Sequence, residues 1–211
     1  MENPHNVTKL FEAEICKYTG APFCATTDNE SNALFLALMY DNIKGKEIEV
    51  PCFTYPSVPC EVINAGGKVK FTQSPLSIPG YLKGAYQLKG SRVWDSALRF
   101  TGDMYIPDTF MCCSFTGGYK HLNLGKGGCI LTDSYDAYAW FKKARFSGRE
   151  ECSYHVQDSF KMTGWNFYMN PMTATLGLLN MTKFYHVNGT KKDMPDIELP
   201  YPNLSLHPAY K

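Results

Sequence analysis

Apolar positions along this chain recur at two alternating periods. From Leu10 to Tyr18 they fall at helical spacing, and Gly20 supplies a stop. "PFCATT" follows as a short apolar run that reads as a buried strand. "DNESNALFLALMYDNI" predicts a helix capped by Thr27, Asp28 or Asn29, with Leu34, Leu38 and Met39 facing inward. "EIEVP" is a strand ended by Pro51, Pro56 to Ala65 is a helix closed by two glycines, and "KVKFT" is another strand. Gln73 to Gly90 is irregular and rich in Pro and Gly. "SRVWD", "DTFMCCSF" and "GGCILTD" are strands. Asp136 to Phe146 and "PMTATLGLLNMTKFY" are helices, the second with proline at its first position.

Strands that alternate with helices predict an α/β domain, a mostly parallel mixed sheet flanked by helices. Ligands of such sheets bind at the carboxyl ends of strands. That rule gathers Asp28 to Ser31, Phe53 to Tyr55, Asp95, and Ser114 to Lys120 at one edge. The expected organisation is one domain over 1–190 and an extended, proline-rich tail over 191–211.

Composition narrows the function classes. The chain has 211 residues, enough to bury roughly 70% of the surface its unfolded form exposes. Net charge is +1, with no basic block, so nucleic acid is not an expected partner. No run of about 18 apolar residues occurs, so no membrane association is expected. The first residues lack the apolar core of a signal peptide. The eight cysteines form no CxxC pair and no Cys/His cluster of zinc-ligand spacing, so no metal is expected. Most lie in apolar strands, where a free cysteine acts as a small hydrophobe. The expected location is a reducing one, the cytoplasm.

"SFTGGYKHLNLGKGGCI" carries the chemistry. It sets Lys120 in a loop of five glycines between two strands. Asp95 ends another strand, Tyr55 follows a third, and a helix begins near Ser31. These are the parts of a pyridoxal phosphate site. A lysine forms a Schiff base with the aldehyde, and an acid keeps the pyridine nitrogen protonated. An aromatic stacks on the ring, and a helix N-terminus receives the phosphate.

Order and wording of these parts resemble the DegT/DnrJ/EryC1/StrS sugar aminotransferases of fold type I. The resemblance runs from about Phe11 to Phe184. It rests on "FEAEICKYTGAPFCATTDNESNALFLAL", "EIEVPCFTYPSV", "RVWDSAL", the lysine loop with its paired glycines, and "GWNFYMNPMTATLGLLNM", in that order. The resemblance implies that Lys120 is the Schiff-base lysine and proton carrier and that Asp95 pairs with the pyridine nitrogen. It implies that Tyr55 stacks on the ring, and that Glu30, Ser31 and Ser114 stand at the phosphate. Asn166 would reach the phosphate of a partner subunit.

The implied activity transfers an amino group from an amino acid, often glutamate, to a nucleotide-linked keto-sugar. The implied assembly is a homodimer with shared sites. The chain departs from the family pattern at Glu30, Leu98, Tyr168 and Lys126, and the resemblance implies a short form, expected to be without the family's C-terminal small domain. Two alternatives therefore stand beside it: a non-catalytic binding or regulatory module, and a pyridoxal-phosphate-dependent sugar dehydratase. The family's dehydratases carry histidine in place of the lysine; here Lys120 is kept and His121 follows it.

Overall fold

The computed structural model describes residues 3–73, 84–118, 120–152, 160, 162–188 and 201–210, with the backbone alone for 183–188. The chain opens with helix α1 (Asn6–Thr19), which stops at Gly20 in the left-handed conformation (φ 76°). Strand β1 (Phe23–Thr27) leads into α2 (Glu30–Tyr40). Asn29 caps α2, its side chain accepting from the Asn32 N–H at 2.8 Å. Strand β2 (Glu47–Pro51), helix α3 (Ser57–Asn64) and strand β3 (Lys68–Thr72) follow, then β4 (Tyr86–Gln87), β5 (Val93–Ser96), β6 (Phe110–Ser114) and β7 (Gly128–Thr132). Helices α4 (Tyr135–Ala144) and α5 (Pro171–Asn188) complete the order.

The central sheet is mixed and flanked by helices, as expected, but most of its ladders are antiparallel rather than parallel. Its five strands run β1-β7-β6-β5-β4, and the ladders β1·β7, β6·β7 and β4·β5 are antiparallel. Only β5·β6, and β2·β3 in a separate two-stranded sheet, are parallel. Connection length accounts only for β4·β5, where a short return forces antiparallel pairing; the connections 97–109 and 115–127 are equally long, yet β5·β6 is parallel and β6·β7 antiparallel. The turn after β4 is tight, with the Leu88 N–H bonded to Val93 O at 2.9 Å, so β5 doubles back. An isolated bridge between Glu49 and Lys89 joins the edges of the two sheets.

Side chains alternate across β6. Met111 and Cys113 pack in one core with Phe11 and Ile15 of α1, whereas Phe110 and Cys112 pack in the other with Leu34 and Leu38 of α2 and Phe141 of α4. Both faces are covered, which is why "FMCCS" reads as a continuous apolar run. Met39 is a correction: it is 36% exposed. One residue past Leu38 rotates it by about 100° about the axis, off the inward face.

Arg145, fully buried, ties α4 to α1 and β1. It meets Glu12 Oε1 at 2.6 Å and the Thr26 hydroxyl at 3.0 Å, while Lys142 meets Glu12 Oε2 at 2.8 Å. Burial pushes the Glu12 carboxyl up, but the Arg145 and Lys142 charges outweigh it and hold it below its ordinary value. Residues 201–210 form two short 3₁₀ turns that pack beside β2 and β3. Of the stretch from Gln73 to Gly90, residues 74–83 lie outside the described residues, as do 191–200 of the tail.

Candidate functional site

The carboxyl ends of β2, β5 and β6 and the start of α2 enclose a cavity of about 660 Å³, within the range of small-molecule sites. Six of the seven candidates line it: Glu30, Ser31, Tyr55, Asp95, Ser114 and Lys120. Asn166 does not; it is exposed, in a bridge to Phe146.

Asp95 sits near the end of β5, 4% exposed. Its Oδ1 accepts the Ala97 N–H at 2.8 Å and its Oδ2 accepts the Tyr86 hydroxyl at 2.7 Å. Tyr86 also meets Thr54 Oγ1 at 2.6 Å, so Thr54, Tyr86 and Asp95 form a chain across β4 and β5. Burial raises the Asp95 pKa, against the hydrogen bonds from Tyr86 and Ala97 and the charge of Lys120. Burial, and then the Asp95 charge, push the Tyr86 phenol well above its ordinary value.

Lys120 reaches the cavity from the loop between β6 and β7. The base of that loop is tied by Phe115 N–H to Gly127 O at 2.9 Å, and the Lys120 N–H bonds Gly117 O at 3.1 Å. Gly117 has φ 109°, a left-handed geometry that side chains resist. The Lys120 ammonium donates to Ala97 O at 2.6 Å. Burial lowers its pKa, against the acids Glu30 and Asp95.

Glu30 starts α2 and is 8% exposed. Its Oε1 is buried without a hydrogen-bond partner among the described residues. Burial, then the Asp95 charge, push its carboxyl well above the usual range. Gly128 explains how α2 gets so close to β7: a Cβ there would stand 2.6 Å from the Glu30 backbone nitrogen. Ser31 bonds the Ser57 hydroxyl at 2.8 Å, joining the first turns of α2 and α3. Ser114 is buried at the end of β6, and its hydroxyl accepts the Thr116 N–H at 3.4 Å. The Tyr55 ring is 56% exposed at the cavity's mouth.

One cavity therefore brings together a cation, two carboxyls, a hydroxyl-lined helix start and an open aromatic face. It can hold an anion at the first-turn amides of α2 and lower the pKa of an amine by burial. Residues outside the cavity lining include His121, whose Nδ1 lies 3.0 Å from Phe100 O, and Lys126, a surface partner of Asp28 at 3.8 Å. Tyr86, Thr54 and Tyr201 line the cavity as well. Tyr86 escaped the sequence reading because it stands in the irregular stretch, and a two-residue strand has no readable period.

A sequence model of the DegT/DnrJ/EryC1/StrS aminotransferase family matches residues 3–74 and 99–197. Tyr86 and Asp95 fall between the two matched stretches, and Tyr201 after them. No curated protein matches the chain in sequence. Among solved structures, S. venezuelae DesV in complex with a ketimine intermediate superposes with TM-score 0.68 at 20% identity, over 87% of this chain and 58% of that one. Helicobacter pylori PseC, an aminotransferase involved in pseudoaminic acid biosynthesis, gives 0.64 at 13% identity, over 86% and 58%. The E. coli GDP-4-keto-6-deoxy-D-mannose-3-dehydratase with bound hydrated pyridoxal phosphate gives 0.62 at 16%, over 85% and 60%. At these identities the likeness is one of fold, and the chain spans less than two thirds of each structure's length.

Proposed function

Because the chain belongs to the DegT/DnrJ/EryC1/StrS aminotransferase family, we propose that it is a pyridoxal-phosphate-dependent enzyme that moves an amino group from an amino acid, with glutamate the first donor to try, to a keto-sugar carried on a nucleotide. The observation that carries this reading is the single cavity shared by Lys120, Asp95 and the open face of Tyr55.

The residues present fit the cofactor. Lys120 is the amine that would hold it. Asp95, raised by burial yet charge-stabilised by its hydrogen bonds, suits a buried partner for the pyridine nitrogen. The first turn of α2, with the Ser31 hydroxyl, and Ser114 offer donors to a phosphate. Glu30 fits as an uncharged acid, the form its burial favours. When bound, pyridoxal phosphate supplies an electron sink for a substrate carbanion. The chain's own contribution is acid–base work. Burial lowers the Lys120 pKa, so its Nζ is suited to take a proton from the substrate α-carbon and return it nearby. Tyr86 and Ala97 fix the Asp95 carboxylate in one orientation.

Homodimerisation is part of the proposal, with Asn166 acting across the interface; its surface position outside the cavity is compatible with that. The dehydratase reading is disfavoured by Lys120, because the resembled dehydratases carry histidine there. A non-catalytic module is the second reading, favoured by the carboxyl of Glu30 inside the cavity. The experiment is direct: add pyridoxal phosphate, record the visible spectrum, reduce with borohydride and map the adduct by mass spectrometry. An adduct on Lys120 that Lys120→Ala abolishes supports the enzyme reading. A folded protein without an adduct overturns it.

A further inference from the structure

Residues 201–210 lie beyond both stretches that match the family, yet the first of them, Tyr201, lines the cavity. Leu204 is 2% exposed, and its N–H donates to Cys52 O, just past β2, at 2.9 Å. Asn203 closes the turn by accepting from the Ser205 N–H at 3.1 Å and hydroxyl at 2.6 Å. The Tyr210 hydroxyl donates to Pro56 O at 3.4 Å, and its ring stands 5.9 Å from Phe71 of β3. These contacts pin the segment across the carboxyl ends of β2 and β3. Tyr201, first in the segment, lines the cavity and lies edge-on to Tyr55, with centroids 6.2 Å apart and planes at 75°.

We infer that residues 201–210 anchor Tyr201 at the wall of the cofactor cavity and that Tyr201 is a positioning residue, bracing Tyr55 so that its face stays turned to the bound pyridine ring. The inference rests on the pyridoxal phosphate reading above. Tyr55 is more than half exposed, and an unbraced side chain there loses rotamer freedom when a ligand orders it. An edge-to-face partner sets the ring beforehand. The brace comes from a segment beyond the residues that match the family model.

The test is a titration of the full chain with pyridoxal phosphate, read by visible absorbance and by the circular dichroism that the bound cofactor acquires. Wild type, Tyr201→Ala, Tyr201→Phe and Tyr201→Leu are compared, with far-ultraviolet dichroism as the check of folding. Tyr201→Ala is expected to bind about threefold to tenfold more weakly, the size of one aromatic pair, with a smaller cofactor dichroism band. Tyr201→Phe keeps the ring and restores both. Tyr201→Leu keeps apolar bulk, behaves as Tyr201→Ala, and serves in its place should the alanine variant not fold. Wild-type affinity and dichroism in Tyr201→Ala or Tyr201→Leu overturn the bracing role alone, as does a failure of Tyr201→Phe to restore them. A wild type that binds no cofactor overturns the pyridoxal phosphate reading, and this inference with it.

Discussion

The Tyr86 hydroxyl donates to Asp95 Oδ2 at 2.7 Å, and Thr54 Oγ1 stands 2.6 Å behind it. Tyr86→Phe removes a donor from a buried carboxylate, leaving one of its oxygens short of a partner. The expected loss is about 1–3 kcal/mol, measured by urea unfolding. The Tyr86 bond holds the Asp95 pKa down, so its loss moves the Asp95 titration to higher pH, read by carboxyl-carbon NMR. An unchanged titration would mean that Tyr86 does not govern Asp95.

Lys120 makes a prediction with the opposite sign. Burial lowers its pKa, so its reactive free-base form accumulates at lower pH than that of a surface lysine. Labelling with a small neutral aldehyde plus cyanoborohydride at a series of pH values, quantified by peptide mass spectrometry, should show Lys120 reacting in preference to surface lysines at pH values beneath the ordinary lysine pKa of about 10.4. Glu30→Gln and Asp95→Asn remove acids that oppose the shift and should move the Lys120 profile to still lower pH.

Glu30 couples stability to pH. Its folded pKa is raised by burial, so the folded state holds this proton after the unfolded state has released it. The Glu30 contribution is intact below the unfolded pKa of about 4.3 and is lost as pH rises towards the folded value. Glu30→Gln cannot ionise. Its stability relative to wild type should therefore climb with pH above about 4.3, followed by denaturant midpoints. Its affinity for inorganic phosphate should also exceed that of wild type at alkaline pH, because an ionised Glu30 opposes the anion.

Arg145 supports the scaffold. Arg145→Met leaves two buried acids, Glu12 and Glu151, to share the Lys142 ammonium, and breaking a buried pair this way costs about 3–5 kcal/mol. Adding Glu12→Gln should recover part of that loss, and the double-mutant cycle in urea measures the coupling. A near-zero cost for Arg145→Met would assign the cluster no structural role.

Much of the fold was written in local sequence. Gly20 and Asn29 mark helix ends by backbone geometry that any chain obeys, and the "FMCCS" run announces a strand covered on both faces. Lys120, Asp95 and Glu30 were legible as candidates because they stand at strand and helix ends, where a sheet gathers its ligand contacts. Strand direction was not legible. It depends on which strands lie side by side, a long-range choice made by packing. The same holds for Tyr86 and Tyr201, which stand in stretches without a period, and for the Arg145 cluster, whose members are far apart in sequence. Local sequence determined the elements and the chemistry on their ends. Only tertiary packing decided which groups share one low-dielectric cavity, and so which carboxyl has its pKa raised, which amine has its pKa lowered and which aromatic rings meet at the cavity's mouth.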